Sequence, residues 1–327
     1  MNAVIGIDTS CYTTSCAAVD QQGEVVAFQR KLLPVAPGQR GLRQSEALYI
    51  HLRQLPDLMD ALMKDLKAYP DLSIQAVCAS TKPRDDEDSY MPVFLAGMSF
   101  ARTMASVLRV PFYSTTHQRG HLYAARLFSG IGEGTCLFLH LSGGTTELLL
   151  FDADSDTLSL IGGTLDLHAG QLVDRCGVAL GLPFPAGPYL EELARKGKAE
   201  ACLPVSMEQH DLYCHLSGAE TRIQQLIREG GMSREQIAAE VYDLLARTVS
   251  RLVLAGKEKT GIDKVLIAGG VASSPLFREK LHDRVMKRGD MQLFFGKPEY
   301  SGDNAAGVAC IGRKYLQEEE QKRGRNT

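Results

Sequence analysis

No stretch of this 327-residue chain approaches the roughly 18 consecutive apolar residues that a bilayer-spanning helix requires. The opening residues 1–8 enter an apolar strand with no basic flank or cleavage-site pattern, so a cytoplasmic protein without membrane contact is expected. None of the eight cysteines (Cys11, Cys16, Cys78, Cys136, Cys176, Cys202, Cys214, Cys310) forms a C-x-x-C pair. That absence argues against a zinc ribbon and a disulfide framework, and leaves reduced, mostly buried thiols as the expectation. Charge of one sign is lacking too: 36 basic against 39 acidic residues give a net charge of −3 and no global pull towards nucleic acid. RNA contact would need a local patch or a partner subunit. What remains, 44% hydrophobic and 23% charged residues, is ordinary globular composition for one or two domains.

The apolar pattern starts with a hairpin, Val4–Ser10 and Thr13–Asp20, with hydroxyls and the Asp8 carboxylate at its tip. Residues 137–152 repeat that plan around Ser142-Gly143-Gly144-Thr145, which suggests a duplicated fold. Between the two, residues 45–66 carry apolar side chains three or four apart and predict a helix, 74–79 a buried strand and 94–108 a second helix. Further helices are expected at 169–180, 189–198, 233–257 and 275–288. A strand at 264–268 runs into the Gly269-Gly270 turn, Asp303 is placed to cap the last helix, and the charged tail 318–327 should fray. Strands alternating with helices over this length give an α/β class.

Two histidines four apart, His117 and His121, share one helix face and can ligate one ion, or they can be an unremarkable pair on a helix turn. Gln118 stands where a zinc protease needs its glutamate base, so a protease is excluded. Asp303 is the candidate third ligand and His140, inside an apolar strand, a candidate fourth; two imidazoles and a carboxylate suit zinc or iron, with manganese or magnesium as alternatives. Backbone amides at Gly143-Gly144 and around Thr9-Ser10 can form anion nests for phosphate. Two such tips and the third glycine turn at Gly269-Gly270 resemble the layout of the actin, sugar-kinase and Hsp70 superfamily, which implies two lobes with a nucleotide in the cleft between them. The lobes are expected at 1–115 and 116–327, the second with a helical insertion around 165–260.

A narrower resemblance follows from motifs in order along nearly the whole chain. Ile7-Asp8-Thr9-Ser10-Cys11, His117 to His121 (H-x-x-G-H), Ser142 to Thr146, Ala169 to Arg175, Ala186-Gly187-Pro188, Ser217 to Thr221, Ala268 to Arg278 and Gly302 to Ala306 resemble the signature runs of the TsaD family, the tRNA threonylcarbamoyladenosine synthases once labelled glycoproteases. The resemblance implies metal-dependent transfer of a threonylcarbamoyl group from its AMP anhydride to the exocyclic amine of a tRNA adenosine, with tRNA reached through partner subunits and a TsaB-like heterodimer partner. It implies metal on His117, His121 and Asp303, adenine nucleotide or acyl-adenylate facing Thr9, Ser10, His140, Leu141, Ser142, Gly143, Gly144 and Thr145, ribose at Asp174, Gly187 and Glu191, and adenosine at Gly269, Gly270 and Ser274. Asp8 and Ser10 are the candidate catalytic groups.

The chain departs from the family pattern where the donor would be handled. Tyr12-Thr13 replaces an acidic pair, the acidic run 82–88 replaces a glycine-rich loop, Thr145 replaces a histidine and Ser274 an asparagine. Two alternatives therefore stay open: a TsaD-like ATP- or acyl-adenylate-dependent transferase or hydrolase acting on something other than tRNA, and a non-catalytic nucleotide-binding partner subunit.

Overall fold

Strands β1 (Asn2–Thr9) and β2 (Thr13–Asp20) form the expected first hairpin, and because nearly every residue in them is buried they read as continuous apolar runs rather than alternating ones. A third strand, β3 (Val25–Leu32), extends the meander antiparallel to β2. Its outer half, Gln29 to Leu32, faces solvent or is half-buried and carries charge, which hid it from the apolar pattern. Helix α1 (Gln44–Leu66) then leads to β4 (Ser73–Lys82), and α2 (Phe94–Leu108) leads to β5 (Phe112–Thr116). Both strands pair parallel, giving a sheet ordered β3-β2-β1-β4-β5. Ile5, Ile7 and Val77 on the sheet pack against Leu55 and Leu62 of α1 and Ala101 of α2. Truncating Leu55 or Leu62 to alanine should cost about 2–5 kcal/mol each, since both are fully buried.

After α3 (His117–Arg126) the plan repeats. Strands β6 (Cys136–Leu141), β7 (Thr146–Asp152) and β8 (Thr157–Thr164) form an antiparallel meander. Helices α4 (Ala169–Ala179) and α5 (Gly187–Ala194), the short strands β9 (Ser206–Glu208) and β10 (Tyr213–His215), and helices α6 (Ser217–Glu229) and α7 (Arg234–Thr260) follow, so residues 165–260 are mainly helical. Strand β11 (Lys264–Ala268), helix α8 (Pro275–Met286), strand β12 (Gln292–Phe295) and helix α9 (Ala306–Gly324) complete the chain. The second sheet is ordered β12-β11-β6-β7-β8-β10-β9, with β6, β11 and β12 parallel. Its first five strands match β5-β4-β1-β2-β3 in order and direction, so the duplication suspected from two hairpins extends to whole sheets. Leu137, Leu139 and Leu148 meet Leu172 of α4, Val241 and Leu252 of α7 and Phe277 of α8 in the second core.

This computed structural model describes residues 1–10, 12–34, 42–289 and 291–324. Cys11 and the last three tail residues lie outside them. Six of the seven described cysteines are buried, Cys202 being the exposed one. The chain divides into two compact units, Met1–Leu127 with Gly302–Thr327, and Phe128–Ser301. The 115/116 position falls inside β5, and the division lies at 127/128 because α3 packs on α9, which returns to the first unit. That packing is close enough for backbone contact: a β-carbon on Gly307 would lie 1.9 Å from the carbonyl oxygen of Gly120. Helix α6, with only Ala219 and Ile223 buried, was too polar to be read as a helix. The charged tail does not fray early, since α9 runs to Gly324. No helix among the described residues is long and apolar enough to cross a membrane.

Candidate metal centre and nucleoside cavity

In the first unit His117 and His121 project from α3, one turn apart, towards the Asp303 carboxylate that precedes α9. His117 Nε2 lies 3.0 Å from His121 Nε2 and 3.5 Å from Asp303 Oδ1, and His121 Nε2 lies 3.4 Å from the same oxygen. Edges of 3.0, 3.5 and 3.4 Å describe a circle of about 1.9 Å radius, so an ion about 2.0–2.2 Å from each atom fits just off their plane. Two of the three candidate ligands, His117 and Asp303, are oriented from behind by side chains of the first hairpin. The Asp8 carboxylate accepts a hydrogen bond from His117 Nδ1 at 3.0 Å, leaving Nε2 for the centre. Ser10 and Thr13 hydroxyls donate to Asp303 Oδ2 at 3.0 and 3.4 Å, which turns Oδ1 towards the imidazoles. Burial opposes a charged His117, but Asp8 and Asp303 outweigh it and raise that histidine well above its ordinary value. Asp303 is likewise held well below the carboxylate range, against its burial, by His117 and His121. The His117 imidazole thus lies between two carboxylates, Asp8 and Asp303.

Several expected roles shift here. Asp303 does not cap α9; Asn304 Oδ1 accepts the Ala306 amide at 3.1 Å instead, freeing Asp303 for the histidines. Asp8 is fully buried beneath His117 and also accepts the Ser80 hydroxyl, so it supports a ligand rather than facing a reactant. Ser10 orients Asp303. Thr9, expected to meet phosphate, donates to the Val93 carbonyl at 3.0 Å and accepts the Gly97 amide at 3.1 Å inside the unit. Sequence reasoning missed Asp85 in the acidic loop, whose carboxylate takes Arg119 Nε at 2.8 and 3.0 Å and the Thr116 hydroxyl at 3.0 Å. That clamp fixes the first turn of α3, where Thr116 also caps the Arg119 amide. It also missed His51, fully buried, which bonds the Ser10 carbonyl at 2.7 Å.

The second unit holds a cavity of about 490 Å³, within the range of small-molecule sites. Val173, Pro185, Pro188 and Val271 give it apolar walls, Asp174 and Glu191 supply carboxylates, and Gly143, Gly170 and Gly270 bring bare backbone to its edge. Asp174 Oδ1 accepts the Ala186 amide at 2.8 Å and Glu191 Oε1 the Leu276 amide at 2.9 Å, so each carboxylate is pinned by one oxygen. Among the described residues the second oxygen of each takes no protein hydrogen bond, which leaves it able to accept one from a ligand. A β-carbon on Gly143, Gly144 or Gly270 would meet open space, room that a phosphate can enter. Tyr242, unanticipated in the sequence, lines the cavity and donates to the Gly187 carbonyl at 3.1 Å.

Of the expected nucleotide contacts, Gly143, Asp174, Gly187, Glu191, Gly270 and Ser274 line this cavity; His140, Leu141, Ser142, Gly144, Thr145 and Gly269 do not. His140 is buried in β6 beside the Phe138 ring and belongs to the second unit, unlike the three candidate ligands. Leu141 is buried, and Ser142 shapes the turn by accepting the Gly170 amide at 3.1 Å. Gly269 has a φ of +107°, and a β-carbon there would lie 2.1 Å from the Leu141 oxygen, so its glycine serves strand packing. Ser274 caps α8 by accepting the Phe277 amide at 3.2 Å.

The family model described as TsaD, tRNA N6-adenosine threonylcarbamoyltransferase, matches residues 36–310. The chain belongs to the TsaD family. A tRNA N6-adenosine threonylcarbamoyltransferase from Thermotoga neapolitana is 30% identical over 329 residues, covering 98% of this chain and 95% of that protein. Among solved structures, an activator of 2-hydroxyisocaproyl-CoA dehydratase from Clostridium difficile superposes with a TM-score of 0.56 at 14% identity, covering 98% of this chain and 97% of that one. A ROK-family glucokinase from Streptomyces griseus gives 0.55 at 12% identity over 95% and 99%. These two likenesses concern the fold, an α/β chain with two sheets of the actin and sugar-kinase type. Within this TsaD-family chain the departures from the family pattern have local partners: Thr13 holds Asp303, and the acidic loop holds α3 through Asp85.

Proposed function

We propose that the chain transfers a threonylcarbamoyl group from threonylcarbamoyl-AMP to the exocyclic amine of a tRNA adenosine. The cavity of the second unit carries this reading: flat apolar walls for a purine, two half-free carboxylates for a ribose and an open glycine turn for a phosphate are the recognition needs of an adenylate. In the reaction the amine nitrogen bonds to the carbamoyl carbon, the bond from that carbon to the AMP oxygen breaks, the nitrogen loses one proton and AMP departs. An exocyclic adenine amine is a weak nucleophile, so most of the acceleration must come from holding donor and acceptor together. Asp174, Glu191 and Tyr242 hold the donor's nucleoside, and Ser10, Thr13 and Asp8 fix Asp303 and His117. A divalent ion on His117, His121 and Asp303, zinc or iron by donor type, supplies Lewis acidity or neutralises phosphate when bound.

The test is purified protein with threonylcarbamoyl-AMP, unmodified tRNA and candidate partner subunits, followed by nucleoside mass spectrometry. Threonylcarbamoyladenosine should form, and His117→Ala should abolish it. Metal-loaded protein that forms none under any partner combination, yet turns the adenylate over, would move the reading to a non-tRNA acceptor.

A further inference from the structure

A second cavity of about 340 Å³ lies where Asp243 of α7 faces the later part of α8 and the residues after it, lined only by charged side chains: Asp243, Lys280, Asp283, Arg284, Lys287 and Arg288. Both oxygens of Asp243 are occupied, Oδ2 by Arg247 Nε at 2.7 Å and Oδ1 by Arg284. Lys280, Lys287 and Arg288 form no ion pair with a described residue, so the cavity is locally basic in a chain whose net charge is −3. Lys280 and Arg284 lie one turn apart on α8, and Lys287 and Arg288 follow directly after its last residue, Met286. One phosphate needs one or two such groups. Three cations without an ion pair, set against the one remaining carboxylate of Asp283, suit a ligand that repeats its negative charge, and guanidinium and ammonium groups match phosphate oxygens.

We propose that this pocket is a docking point for the phosphate backbone of RNA, separate from the nucleoside cavity. The inference rests on the RNA-substrate reading above and names where that substrate is held. The two cavities share elements: Tyr242 and Asp243 are neighbours on α7, and Ser274 at the start of α8 lines the first while Arg284, about 15 Å further along the helix axis, lines the second. RNA held at the second cavity is thus held by the same two helices that frame the first.

The test measures binding of unmodified tRNA to the full chain against potassium chloride concentration, for the parent, for K280E/K287E/R288E and for a control reversing exposed lysines of the first unit, K64E/K67E/K322E. Three lost phosphate contacts should make the slope of log affinity against log salt shallower by about 2.7 and weaken binding at least about ten-fold at 50 mM salt, the control staying near the parent. Equal affinity and slope in parent and pocket variant, or an equal loss in the control, overturns the proposal. So does a pocket variant whose tRNA binding is intact while its affinity for an ATP analogue falls, since the pocket would then serve nucleotide phosphates. A parent that binds tRNA through this pocket but modifies no adenosine would count against the transferase reading alone.

Discussion

Replacing Asp8 by asparagine isolates the charge behind His117. The amide oxygen can occupy the place of Oδ1, 3.0 Å from His117 Nδ1 and within reach of the Ser80 hydroxyl, so the imidazole keeps its orientation. What disappears is the negative charge that makes His117 a better ligand. Carboxylate partners of ligating histidines contribute about 10–100-fold in metal affinity, or about 1.4–2.7 kcal/mol. The new amide nitrogen would take the place of Oδ2, a buried atom with no hydrogen-bond partner. A buried donor left unsatisfied there costs about 1–3 kcal/mol of stability, so binding must be measured well below the melting transition. The assay is zinc competition against a chromogenic chelator. Asp8→Asn should raise the zinc Kd by one to two orders of magnitude, while Ser80→Ala, which leaves the charge, should change it far less. A Kd within two-fold of the parent for Asp8→Asn would refute the claim that Asp8 tunes His117.

Three further outcomes are expected. Gly170→Ala would place a β-carbon 2.6 Å from the Gly143 amide and 2.7 Å from the Ser142 oxygen, so a thermal melt should show a loss of about 1–3 kcal/mol and ATP-analogue affinity should fall with it. Tyr242→Phe removes the hydroxyl that ties α7 to the Gly187 carbonyl and should cost about 0.5–1.5 kcal/mol in denaturant unfolding, together with weaker adenylate binding. Asp166, opposed by burial but held by the Ser217 hydroxyl and the amides of Leu216, Leu167 and Ser217, has its pKa lowered to about 2 from 3.8. A depressed carboxylate stabilises the fold above the unfolded value, and the stability is lost as pH falls from about 4 to about 2. Solvent screening reduces this to about 1 kcal/mol, and Asp166→Asn should flatten that part of the acid-unfolding profile.

The convergence of the three candidate ligands could be read from the sequence because helical spacing places His117 and His121 together, and a carboxylate before a helix is a visible third partner. Helices at 44–66 and 94–108 were legible for the same reason, since each buries one regular apolar stripe. The supports were not legible. Asp85 reaches Arg119 from a loop 34 positions away in sequence, and His51 reaches Ser10 from the buried face of α1, pairings that only tertiary packing creates. Thr9 and Gly269 misled because a hydroxyl or glycine at a turn looks the same whether it meets a ligand or the protein's own backbone. Strand β3 was missed because its exposed end lacks an apolar signature.

The contact between Gly120 and Gly307 sets how freely the candidate metal centre can change over evolutionary time. Gly120 lies between the two histidines and Gly307 four residues after Asp303, so α3, which carries the histidines, and α9, which follows the carboxylate, touch main chain to main chain. The separation of the two backbones that bear the imidazoles and the carboxylate is therefore fixed, while Asp8, Ser10 and Thr13 set how the side chains are turned within it. A lineage can exchange one donor atom for another at these positions, but it cannot widen the frame by small steps. Adopting a larger ion with more oxygen ligands would require the two helices to part first.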